Sequence, residues 1–162
     1  MSFIADAKIA KIARAYSEDA VDFAQNSFGI TLDFSDASVE QIEAILDRLH
    51  RELPTAQPSD EQVFNFAKLF GSYIGEVFRR NHAATWGMVT LEGQEFPGMQ
   101  ATRTAAEFWP WGKVQKRLLE GADENVWDYF RVLVDADGHD CPPAVDGSFE
   151  KLPWWKKLFG AK

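Results

Sequence analysis

The apolar residues of this chain change their spacing near Asn81, and that change limits what the chain can fold into. Ahead of it, apolar positions recur three and four apart. Val39, Ile42, Ile45, Leu46, Leu49 and Leu53 form one such stripe, and Val63, Phe66, Ala67, Phe70, Ile74, Val77 and Phe78 form another. A stripe with that period is the buried side of an amphipathic helix. Beyond Asn81, Thr85–Leu91 and Met99–Thr104 predict two strands, with a turn at Glu92–Gly93. Pro97–Gly98 between them makes the hairpin, over about 85–104, a wide one. The expected fold is a mostly helical α+β single domain around a small antiparallel sheet.

Local signals set the expected boundaries. Phe3–Phe28 predicts a long N-terminal helix stopped by Gly29, although Ser17 followed by two acids is also the pattern of a cap on a second helix. Ser38 with Gln41 predicts a capped helix over about 38–53 that Pro54 ends. Ser59 with Gln62 predicts another over about 59–81. Gly71 and Gly75 lie four apart on it, and each costs about 1 kcal/mol relative to alanine. A neighbouring backbone in close approach would offset that cost. Ile30–Phe34 is expected to be a short extended link, and Phe108–Trp111 a rigid aromatic loop. Helices are expected over about 111–120 and 123–135, the latter capped by Asp123. Residues 1–147 form the expected globular domain, and 148–162 a short basic, Trp-rich helix packing on it.

Composition excludes several functions. Lys and Arg number 17 against 25 Asp and Glu, a net charge of −8, where a general nucleic-acid binder needs a basic face. One cysteine, Cys141, allows no internal disulfide and no Cys-rich zinc site. The lysine-studded N-terminus is not a secretory signal, and no run approaches the ~20 apolar residues of a membrane span. A cytoplasmic protein is expected.

Three segments resemble an uncharacterised bacterial domain family: Asp33–Ile42, Gly71–Arg80 with Trp86, and Trp109–Leu118 with Gly121. The family pattern is an Asp-x-Ser segment opening a leucine-rich helix, a Gly-x-Tyr-x-Gly-Glu helix ending in Arg, and a Pro-aromatic-x-x-Val segment ending in Arg. The resemblance covers roughly residues 30–135. It implies one small domain and no established activity. Some relatives lie among genes of bacterial competition systems, which implies an immunity or accessory role.

The densest polar constellation is Tyr73, Glu76, Arg79, Arg80, His82 and Trp86. Glu76 stands three residues from Tyr73 and Arg79 and four from Arg80, so these side chains can share a helix face. If Arg103 and Arg117 converge there, Glu76 is a buried carboxylate among cations. That arrangement is either a charge-paired seam or a ligand pocket walled by Tyr73 and Trp86. A general base needs a raised pKa, which neighbouring arginines oppose, so no catalytic residue is assigned. Asp135–Asp140 alternates carboxylates around a glycine, but in the wrong register for a calcium loop. His50, His82 and His139 lack metal-ligand spacing, and no nucleotide-binding or hydrolase motif occurs. No metal or cofactor is expected.

Residues 148–162 carry Lys151, Lys156, Lys157 and Lys162 against Glu150, a net +3, and leave −11 on the rest of the chain. The expected function is non-enzymatic binding of another protein, such as a basic toxin. Asp36, Glu40, Glu43 and Asp47 are the candidate acidic contacts, and Trp154 and Trp155 the candidate anchors. The alternatives are a small-ligand domain or enzyme at the Tyr73–Glu76 helix, with Arg79, Trp86, Arg103 and Arg117, and a self-associating protein using the tryptophan tail.

Overall fold

The change of period is a boundary in the folded chain. In the computed structural model, which describes residues 2–138, a helix ends at His82 and a strand begins at Ala84. In chain order the elements are β1 (Ser2–Ala5), α1 (Ala7–Phe28), α2 (Ser38–Ala56), α3 (Asp60–His82), β2 (Ala84–Leu91), β3 (Gln94–Ala101), β4 (Glu107–Phe108), α4 (Pro110–Glu120) and α5 (Val126–Asp137). A 3-10 turn, Ala122–Glu124, precedes α5. The four strands form one antiparallel sheet in the order β1-β2-β3-β4. The domain is thus mostly helical α+β.

Helix α3 is the centre of the core and packs most extensively on α1 and α4. Its start is the capping box expected from Ser59 and Gln62, with each side chain bonded to the other's backbone amide. On α1 the buried residues are all small: Ala13, Ser17, Ala20 and Ala24. That stripe lets the α1 backbone lie close to α3. The glycines of α3 have the expected use. A Cβ at Gly71 would stand 2.8 Å from Pro110 O and Trp111 Cα of α4, and one at Gly75 would enter the Trp86 indole. Trp86, Met99 and Phe108 therefore mark the sheet face that meets α3 and α4, with Phe78 and Phe108 in edge contact at 5.0 Å.

Several boundaries differ from the expectation, each for a local reason. The N-terminal helix does not start at Phe3. Asp6 Oδ1 accepts from the amides of Lys8 (2.8 Å) and Ile9 (3.2 Å), so Asp6 caps α1 and the residues before it extend into β1. Ile4, expected on the helical stripe, is a strand residue and 66% exposed. Ser17 starts no second helix; its hydroxyl donates to Arg14 O within a continuous α1. Ser38 does not cap α2 either, because its hydroxyl is bonded to Ser35 O and Tyr73 Oη. Pro54 lies inside α2, which runs on to Ala56 and closes with Gln57 in the left-handed region at φ 44°. A proline that near the end costs only a bond in the final turn.

The hairpin is tight. Glu92 and Gly93 both have positive φ, 51° and 79°, as a two-residue type I′ turn requires. The second strand is therefore Gln94–Ala101 and not Met99–Thr104, with Pro97 opposite Met88 inside it. Counting from the Leu91–Gln94 pair that closes the turn, Pro97 falls at a position where its nitrogen faces away from β2. There β4 pairs only with Met99 and Gln100, so the missing donor breaks no ladder bond. Phe108, expected to open the aromatic loop, instead ends that short fourth strand, Glu107–Phe108. Asn125 caps α5 in place of Asp123, accepting from Asp128 N at 2.9 Å. Asp135 and Asp137 belong to α5, while His139, Asp140, Cys141 and residues 148–162, with Trp154 and Trp155, lie outside the described residues.

Candidate functional site

The Gly-x-Tyr-x-Gly-Glu helix carries its polar residues inward. Tyr73 is fully buried, and Glu76 and Trp86 are each 1% exposed. Tyr73 Oη accepts from Phe34 N at 2.8 Å and shares a 2.6 Å bond with Ser38 Oγ. Burial pushes its pKa above the ordinary phenol value despite these bonds. Phe34 has a left-handed φ of 60°, uncommon for a side chain of its size. Its neighbours hold it there. Its ring centroid is 4.7 Å from that of Tyr73, the Arg80 guanidinium lies 3.7 Å above it, and Asn81 Nδ2 donates to its carbonyl. Nothing local in the sequence marks Phe34 for this role, since its partners come from 39 to 47 residues away.

Glu76 Oε2 accepts from Arg79 Nε at 2.6 Å, with Arg80 Nε at 3.7 Å. Its Oε1 is buried without a hydrogen-bond partner among the described residues, as is Trp86 Nε1. The other expected members lie elsewhere. Arg103 sits on the exposed turn after β3. Arg117 is a correction: it does not join Glu76 but is buried between α4 and α2. Its Nε donates to Glu43 Oε1 at 2.8 Å and its Nη2 donates to Asp47 Oδ1 at 3.0 Å, while Nη2 also lies 2.7 Å from Glu43 Oε1 as an ion pair. Glu43 Oε2 also accepts from Val126 N, the first amide of α5. Desolvation of Arg117 opposes its charge, but the two acids outweigh it and raise its pKa. The hydrogen bond from Arg117 holds Asp47 below the usual carboxylate range. Of the four acids expected at a partner surface, Glu43 and Asp47 thus serve the interior. Asp36 bonds His82 Nε2 at 2.7 Å and Asn81 at 2.9 Å, and Glu40 is exposed.

A second buried charge cluster had no signal in the sequence beyond the amphipathic lysines of α4. Lys113 and Lys116 are 3% and 4% exposed and share Glu124 at 2.7 and 3.1 Å. Burial lowers the Lys113 pKa against the pull of Glu124. Burial likewise works to raise Glu124, yet its two ammonium neighbours outweigh it and hold the carboxylate below its usual range. The two shifts pull the pair in opposite senses. Lys113 Nζ and Glu124 Oε2 are 2.7 Å apart. A carboxylate depressed in the folded state stabilises above its unfolded pKa of about 4.3 and loses that contribution as pH falls through the folded value. Thermal melts between pH 7 and 3 are expected to show stability falling from about pH 4.5 downward in wild type, with a shallower fall in Glu124→Gln. Equal slopes would remove Glu124 from this role.

Two grooves open on the surface. One, of about 430 Å³, has Lys113, Asp123, Asn125, Asp128 and Tyr129 on its wall. The other, of about 610 Å³, lies among α1, the end of α2 and α3, lined by Tyr16, Pro58, Gln62, Asn65, Phe66 and Leu69 with Ala56. Neither is walled by Tyr73, Glu76 or Trp86. Among the described residues no group of three His, Cys, Asp or Glu is placed to hold a metal ion, and no helix is long and apolar enough to cross a membrane. No family model, curated protein or solved structure matches the chain.

Proposed function

We propose that this protein works in the cytoplasm by binding another protein of basic character, as an immunity or accessory protein of a bacterial competition system does. The observation that carries this reading is the larger groove. Among the described residues its polar groups are a phenol and two carboxamides, with no carboxylate, histidine or cysteine on its wall and the Lys68 ammonium 5.6 Å from the Tyr16 ring. A wall of this kind suits holding an apolar side chain more than proton transfer or nucleophilic attack. Phe66 and Leu69 offer it an apolar floor, and exposed Asp60 and Glu61 stand beside Gln62 at its end. With a net charge of −8, the chain attracts basic partners from a distance. The groove then takes an aliphatic or aromatic side chain as anchor. The ligand-pocket alternative has less support, since Tyr73, Glu76 and Trp86 are buried and bonded to their neighbours or packed against them.

The test is a quantitative purification of the tagged chain from its native host, beside Leu69→Lys and Glu40→Lys variants. A basic protein recovered in stoichiometric amount by wild type should fall about tenfold with Leu69→Lys, equivalent to losing ~1.4 kcal/mol. Glu40→Lys, far from the groove, should lower recovery only through the long-range attraction of an acidic chain for a basic partner, and mainly at low salt. Undiminished recovery with Leu69→Lys would move the interface away from the groove, and wild type carrying no protein at all would end the binding reading.

A further inference from the structure

The sheet has two apolar faces, and the contacts of α3 and α4 account for one of them. Strand alternation puts Trp86, Met99 and Phe108 on the face that meets Gly75 and Phe78 of α3 and Trp111 of α4. The register then puts Phe3, Val89 and Phe96 side by side on the opposite face, with Leu91 two residues on from Val89. Gly87 and Gly98 form the next row on this face, on the side away from Leu91, and Trp109 reaches the same side, its Cδ1 being 3.1 Å from where a Gly98 Cβ would stand. Val89 is fully buried and Phe3, Leu91 and Phe96 half-buried, so this outer face behaves as a packed one. Glu107, opposite Gln100, belongs to it as well, and its Oε2 is buried without a hydrogen-bond partner among the described residues. Desolvation raises the pKa of this carboxyl and outweighs the opposing pull of the N-terminal charge.

We propose that residues 148–162 cover this outer face, setting Trp154, Leu158 and Phe159 against Phe3, Val89, Leu91 and Phe96 and a lysine beside Glu107. Three features select this occupant over a second copy or a foreign chain. The segment is basic, a net +3 against an acidic body, and its apolar residues are the large kind a flat sheet face can bury. It is also within reach. The residues between Gly138 and Pro153 span up to about 50 Å when extended, against a radius of gyration of about 14 Å for a domain of this size. Finally, attachment to the same chain gives it an effective concentration on the order of millimolar, which a separate partner seldom matches.

The inference is independent of the partner-binding reading, because the outer sheet face does not include the Tyr16–Leu69 groove. Its test uses the full chain with the photoreactive residue p-benzoylphenylalanine in place of Gln94, an exposed position on the outer face. Irradiation followed by tryptic mass spectrometry should give an intrachain crosslink to a peptide within 152–162. The same chain carrying Leu158→Asp and Phe159→Asp, both outside the described core, should lose that product about tenfold, equivalent to ~1.4 kcal/mol. A crosslinked dimer, products confined to residues 2–138, or an undiminished crosslink in the doubly substituted chain would each overturn the assignment.

Discussion

Glu43→Ala is expected to lower the melting temperature by about 10 °C, from a loss of about 3 kcal/mol. The reason is the group left behind. Arg117 is 1% exposed and its Nη1 already lacks a hydrogen-bond partner among the described residues. Glu43 supplies it with one of its two carboxylate hydrogen bonds and a further 2.7 Å ion-pair contact, and supplies the α5 amide of Val126 with its acceptor. Removing one member of a buried ion pair costs about 3–5 kcal/mol, because the other charge stays desolvated. Asp47 remains within reach of Arg117 and keeps the cost near the lower figure. Calorimetry of Glu43→Leu beside Glu43→Leu/Arg117→Met separates pair strength from charge burial. The double variant should be the more stable of the two, since it buries no unpaired charge. If the double variant is the weaker one, Arg117 is held by something other than its acids.

Gly71→Ala is expected to cost about 3 kcal/mol, moving the urea midpoint by about 1.5 M for a slope near 2 kcal/mol/M. Taken alone, alanine in a helix gains about 1 kcal/mol over glycine. Here the added methyl would meet Pro110 O and Trp111 Cα at 2.8 Å, and both belong to a backbone that cannot rotate aside. Helices α3 and α4 would have to separate, which also stretches the bond from Trp111 Nε1 to Ser72 Oγ. Gly93→Ala provides the control: nothing stands within 4 Å of its missing Cβ, and only its φ of 79° resists substitution. Gly71→Ala unfolding at the wild-type urea concentration would show that α4 can shift without loss.

Legibility in the sequence followed the range of the interaction concerned. Amphipathic stripes and capping boxes act over a few residues, so α2, α3 and α4 were found close to their observed bounds, as was the reason for Gly71. Where a side chain found a distant partner, the local pattern misled. Ser38 had the sequence of a cap but gave its hydroxyl to Tyr73, 35 residues away. Arg117 was expected at Glu76, yet Glu43 and Asp47 lie 74 and 70 residues from it and face α4 from α2. That choice is set by helix packing, which spacing along one helix does not encode. The N-terminal strand was missed because Phe3 and Ile4 fit a helical stripe as well as a strand, and the deciding signal was the cap at Asp6.

The pairing of β1 bears on the order in which the chain assembles during synthesis. Ser2 leaves the ribosome ahead of α1, α2 and α3, and its partner Thr90 emerges only after all three. Helices built on local contacts form early, while a pairing that spans most of a domain waits for its loop to close. Phe3 and Ile4 are therefore carried through the synthesis of three helices without a sheet to join. The sheet's first strand in sequence has to wait for its second to be made.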